Sequence, residues 1–98
     1  MDYSLGELVY SKAGRDADRK FIVVKIVDEK YILISDGCLR KIEKPKKKQN
    51  KHVVSSGVVI DSLNKKLINN ARVTNAEIRK EIELHVQYLE TLEKTRRV

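Results

Sequence analysis

Two short runs, Lys20–Val27 and Tyr31–Ser35, are apolar on both faces of any strand they form. Strict alternation puts Ile22, Val24 and Ile26 on one side of the first, with Phe21, Val23, Lys25 and Val27 on the other. In the second, Ile32 and Ile34 oppose Tyr31, Leu33 and Ser35. A sheet with one face in water does not read this way. Something must therefore cover the outside of these strands, and the C-terminal half of the chain is the candidate. A length of 98 residues leaves room for one small domain, or a very small one with an appendage.

Around these runs the chain reads as a meander. Leu8-Val9-Tyr10 follows Gly6 and stops at Ser11-Lys12-Ala13-Gly14, giving a first strand, and a polar loop runs from Gly14 to Arg19. Asp28-Glu29-Lys30 is a turn-length break. Asp36-Gly37 signals a hairpin, because glycine supplies the positive φ that a type I′ turn needs. Cys38–Ile42 is then expected to return as a fourth strand. Four strands joined this way can close into a small barrel, expected over residues 1–52. Its last stretch, 44–52, holds five lysines, a proline and no acid, and is expected to be an exposed loop. Val53–Ile60 reads as a further strand with a bulge at Ser55-Ser56-Gly57.

The remainder is expected to be helical. Asp61 or Ser62 caps a short helix through Ile68, with Asn69-Asn70 as its stop. Thr74 and Glu77 have capping-box spacing. After them Ile78, Ile82, His85, Leu89 and Leu92 recur at intervals of 4, 3, 4 and 3, with Val86 alongside. Glu90 with Lys94 and Glu93 with Arg97 have the orientation that favours helix ion pairs, and Arg96 and Arg97 suit a helix C-terminus. A helix over about 75–95 would be about 31 Å long, more than such a barrel is wide. Its stripe is expected to lie on Phe21, Tyr31 and Leu33. The fold class is thus mainly β with C-terminal helices, divided at 1–52 and 53–98.

Lys and Arg number 21 against 14 Asp and Glu, a formal charge of +7. A basic balance of this kind predicts a polyanionic partner, nucleic acid first and anionic membrane second. One cysteine cannot build a disulfide framework, so a reducing compartment fits. No apolar run approaches the roughly twenty residues a bilayer requires. The first residues lack a basic n-region and an apolar h-region, so no secretory signal is read. The expected location is cytoplasmic.

The lysine stretch is the main functional signal. Lysine ammonium groups suit phosphates, and a loop suits irregular, folded RNA better than a duplex groove. A solvated loop and a patch for anionic lipid are the plainer readings of the same composition. The expected RNA contacts are Lys12, Arg15, Arg19, Lys20, Arg40, Lys41, Lys44, Lys46, Lys47, Lys48, Lys51 and His52, with His52 equally suited to start a strand. Gly14–Lys20 lacks the Gly-Lys-Ser/Thr of a phosphate-cradling P-loop. Cys38 has no companion for zinc, and His85 reads as a core or interface histidine. No nucleophile–base arrangement can be argued. No enzyme, metal, cofactor or small-molecule substrate is expected.

Several strings resemble a known family. Val9-Tyr10-Ser11-Lys12-Ala13-Gly14-Arg15-Asp16, then Arg19, Phe21, Val23-Val24 and Ile32-Leu33-Ile34-Ser35-Asp36-Gly37, resemble the KOW motif. More narrowly, they look like bacterial relatives of the archaeal and eukaryotic large-ribosomal-subunit KOW proteins. Leu39–Lys48, closing in Lys51-His52, extends the likeness, as does Val73–Arg79, so that it spans most of residues 6 to 80. The resemblance implies an SH3-like β-barrel that binds ribosomal RNA of the large subunit beside ribosomal protein neighbours, without cofactor or catalysis. One departure is Asp18, which stands where the motif usually has glycine; Asp visits the left-handed region more readily than most residues. The rival reading, from another class, is a protein-interaction adaptor using the barrel and the amphipathic stripe Ile78–Leu92.

Overall fold

The computed structural model describes residues 2–12 and 19–96, with side chains described except at 89, 90 and 92–96. Five strands form one antiparallel sheet: β1 (Glu7–Ser11), β2 (Lys20–Ile26), β3 (Tyr31–Ser35), β4 (Lys46–Gln49) and β5 (Val53–Val59). Their spatial order is β4-β3-β2-β1-β5. The first four therefore make a meander, and the fifth returns to pair with the first. A single 3-10 turn, Asn50–His52, joins the two edge strands. Two helices follow, α1 (Asp61–Ile68) and α2 (Asn75–Arg96).

Both sheet faces are buried, each by its own cluster. One holds Tyr3, Val9, Phe21, Val23, Ile32, Ile34 and Val53. The other holds Leu8, Ile22, Ile60, Leu63, Val73 and Ile78, with Val24, Ile42, Val58, Leu67 and Ile82 packed against it. The helices supply the cover that the doubly apolar strands demand. The side chains beneath them differ from the expected ones. Phe21 lies in the opposite cluster, and Ile22 and Val24 meet the helices instead. Alternation itself holds from Phe21 to Val24, and the helices cover the Ile22–Val24 face rather than the Phe21–Val23 face; a register shift follows between Val23 and Lys25. The extra residue at Val24 moves Ile26 opposite Ile32, so alternation fails beyond that point.

The fourth strand is not Cys38–Ile42. Asp36 Oδ1 accepts the backbone N–H groups of Cys38 and Arg40 at 2.9 and 2.8 Å. Ser35 Oγ donates to the Arg40 carbonyl at 2.6 Å, and Ile42 N–H donates to Asn75 Oδ1 at 2.8 Å. Side chains thus take backbone groups that a ladder would need. Gly37, at φ +72°, packs so closely on α2 that a Cβ would stand 2.4 Å from the Asn75 carbonyl oxygen. The strand that pairs with β3 is Lys46–Gln49, inside the stretch expected to be loop. Pairing at a sheet edge needs no apolar side chains, and lysine is a common edge residue. Lys48, in register with Ile32, is 8% exposed.

Other local signals take modified forms. β5 carries the bulge that Ser55-Ser56-Gly57 predicts, with Leu8 opposite Val58 and Val9 opposite Ser55. It lies past residue 52, where the sequence reading ends its barrel, yet belongs to the same sheet. Helix α1 starts with Ile60 at its N-cap and no side-chain cap, in place of Asp61 or Ser62. Ile60 is buried in the cluster with Leu8, Ile22 and Leu63, and the helix starts directly after it. At α2, Thr74 Oγ1 accepts the Glu77 N–H at 3.2 Å, half of the capping box. The Glu77 carboxylate turns instead to Lys66 Nζ at 2.9 Å. Ala13–Asp18, with Arg15 and the Asp18 turn, lies outside the described residues, as do the side chains of Leu89, Leu92, Arg96 and the pairs Glu90–Lys94 and Glu93–Arg97.

Candidate nucleic-acid interface

Registry between β2, β3 and β4 decides which basic residues share a surface. Lys25 pairs with Leu33, and Leu33 with Lys47, so these three lie in one row across the sheet. Tyr31 and Gln49 form the next row. Lys47 Nζ lies 4.5 Å from the Tyr31 ring centroid, a cation–π contact. Gln49 Nε2 donates to Tyr31 Oη at 3.1 Å. Neither Lys25 nor Tyr31 is conspicuous in the sequence beside the lysine stretch; only the β3–β4 register, hidden by the misplaced fourth strand, brings them to it.

The turn after β2 and the 3-10 turn hold further lysines in place. Asp28 Oδ1 accepts the N–H groups of Lys30 and Tyr31 at 2.8 and 2.9 Å. Asn50 N–H donates to the Lys30 carbonyl at 2.8 Å, and its Nδ2 to the Glu29 carbonyl at 2.9 Å. Lys30 and Lys51, both exposed, thereby line one recess with Tyr31 between them. On the far side of the 3-10 turn, Lys12 N–H donates to the His52 carbonyl at 2.8 Å, which joins those two predicted residues.

At the other end of β4, Arg40, Lys41, Lys44 and Lys46 surround Leu39 and Pro45. Lys41 and Lys44 are exposed. The one acid among them, Glu43, is drawn toward α2. The Asn75 amide donates to both its oxygens, at 3.0 and 2.8 Å. That hydrogen bonding, with Lys41 and Arg72 nearby, holds the Glu43 carboxyl below the usual carboxylate range. A third group stands apart from β4. Arg19 and Lys20 line a recess with Asp36, Arg79 and the α2 residues Ile82, Glu83 and Val86. Arg19 Nη2 is paired with Asp36 Oδ2 at 3.1 Å, and Lys20 Nζ lies 5.6 Å from the Tyr10 ring centroid. Arg79 donates to the Gly37 carbonyl.

Of the predicted contacts, then, Lys44, Lys46, Lys47, Lys48 and Lys51 follow one another along β4 and its ends, but Lys48 is turned into the fold. Arg15 is outside the described residues. Among the described residues, no cluster of three or more His, Cys, Asp or Glu could hold a metal ion, and no helix is long and apolar enough to cross a membrane. No protein-family model matches the chain, and no curated protein matches it either.

Proposed function

We propose that this chain binds folded RNA, with ribosomal RNA of the large subunit as its partner, through β4 and the turns that flank it. The observation that carries the reading is that the middle of the lysine stretch, Lys46–Gln49, is a strand. Lys47 stands exposed on that strand beside Lys25, and Lys44, Lys51 and Lys30 stand exposed in the turns at its ends. A fixed row of ammonium groups matches a fixed arrangement of phosphates, the feature by which structured RNA is recognised. The strand order, with β5 back on β1 and a 3-10 turn between the edges, is also the order of a small SH3-like barrel. That agrees with the KOW resemblance of Val9–Asp16 and Ile32–Gly37.

Titration of a structured ribosomal RNA fragment by fluorescence anisotropy at several salt concentrations tests this. Neutralising about five phosphates gives a slope of about −3.5 in log K against log salt. Replacing Lys44, Lys47 and Lys51 together with Ala should remove about two units of slope and leave the circular dichroism spectrum unchanged. A slope that stays the same in that variant would overturn β4 as the contact surface. A specific observation favours the adaptor as a second reading. Leu84 and Tyr88 on α2 are 49% and 59% exposed, and they share a recess with Val58 and His85. An adaptor would show no salt-steep RNA binding.

A further inference from the structure

Between the β2–β3 turn and the 3-10 turn lies a recess of ≈ 480 Å³ lined by Glu29, Lys30, Tyr31, Gln49, Asn50 and Lys51. That volume falls in the range of roughly 300–1,000 Å³ typical of small-ligand sites. Other hollows on the surface are as large, so size does not single it out. Its lining does. It combines one aromatic ring, two lysines and three side chains with acceptor oxygens.

The acceptors are unevenly used. Gln49 spends its amide N–H on Tyr31 Oη, and Asn50 spends its own on the Glu29 carbonyl. That second bond also fixes which end of the Asn50 amide is oxygen. Asn50 Oδ1 is buried and takes no hydrogen bond among the described residues. That atom is also closed to solvent, so the acceptor the recess offers a ligand is a carboxylate. The Glu29 carboxylate borders the same space.

We infer that this recess takes a guanine nucleotide, supplied as a single unstacked residue of the bound RNA; the inference rests on the RNA-binding reading above. Guanine carries two adjacent donor groups on its Watson–Crick edge, N1–H and the exocyclic amine. Those are the complement of the two oxygens of one carboxylate, here that of Glu29. The Tyr31 ring is the stacking surface. Lys30 and Lys51, which line the recess, meet the nucleotide's phosphate. Uracil offers one ring N–H and no exocyclic amine, so it fits least well.

Two titrations test this. In the first, GMP, AMP, CMP and UMP are added separately to ¹⁵N-labelled protein. GMP should shift the amide signals of residues 29–31 and 49–51, and UMP should need about tenfold more to do so, as expected when paired donors are lost. In the second, an RNA hairpin with one bulged guanosine is compared with the same hairpin without the bulge. Tyr31→Ala should weaken binding of the bulged hairpin about tenfold and leave its salt slope unchanged. Tyr31→Phe should restore the affinity, and Glu29→Gln, at an exposed turn, should abolish the preference for GMP over AMP. If Tyr31→Ala binds both hairpins as the unsubstituted chain does, the recess is not a nucleotide site, while salt-steep RNA binding stands. If the unsubstituted chain binds neither hairpin, the RNA reading falls. GMP shifts at the recess would then support a site for free guanine nucleotide, and their absence would overturn the inference entirely.

Discussion

Tyr3 ties the N-terminal segment to the far end of the sheet. Its hydroxyl donates to the Val53 carbonyl at 2.7 Å, with the Asn50 carbonyl at 3.3 Å. Its ring belongs to the cluster with Phe21 and Val53. Burial pushes its pKa above the ordinary value of 10.0, and the nearby Glu7 carboxylate adds to the shift. The folded chain therefore holds this proton more tightly than the unfolded chain does. The stabilisation is intact below about pH 10 and is lost as pH rises through the higher folded value. Tyr3→Phe should cost about 1 kcal/mol at neutral pH, the worth of one buried hydrogen bond. It should also flatten the alkaline arm of a stability–pH profile measured by urea denaturation. An unchanged alkaline arm would mean that another group governs that transition. Asp36 does comparable work at the opposite corner, where one carboxylate closes the 36–40 turn and fixes Arg19.

At the scale of elements, α2 is held to the sheet by its first turns. Ile78 is fully buried among Leu8, Ile22 and Leu63, whereas Leu84 and Tyr88 are exposed. Ile78→Ala should lower stability by about 3 kcal/mol in denaturant titration. A much smaller loss would mean that α2 contributes little to the fold. Amphipathic spacing made this helix readable, and the doubly apolar runs made β2, β3 and their need for cover readable. Two features were not. The bulge at Val24 leaves no mark in a run of Val and Ile, because every register of such a run is apolar. β4 is invisible for the opposite reason: Lys46–Gln49 has no side chain of the kind that signals a strand, and the contacts of Lys47 and Gln49 with Tyr31 follow from the pairing rather than announce it. The candidate site inherited that blindness. Lysines 44 to 51 were legible from charge, but Tyr31, Gln49 and Asn50 belong beside them only through the β3–β4 register and the 3-10 turn.

For the whole molecule, a charge of +7 on 98 residues makes long-range attraction to a large polyanion strong and salt-sensitive. In a sucrose gradient of a lysate at low salt, with the protein at its native level, it should travel with large ribosomal subunits and whole ribosomes. High salt should release it. Recovery at the top of the low-salt gradient would defeat the ribosomal proposal even if purified protein binds RNA. The position of β4 has one more effect. It is an edge of the sheet, and an edge presents backbone donors and acceptors to any strand that approaches. A second copy arriving edge to edge must bring lysine against lysine. Substituting Val for both Lys46 and Lys47 should therefore raise light scattering above that of the unsubstituted chain at equal concentration. The same charges that attract a polyanion keep copies of the chain from stacking, and that protection lapses whenever a small counterion neutralises them without covering the strand.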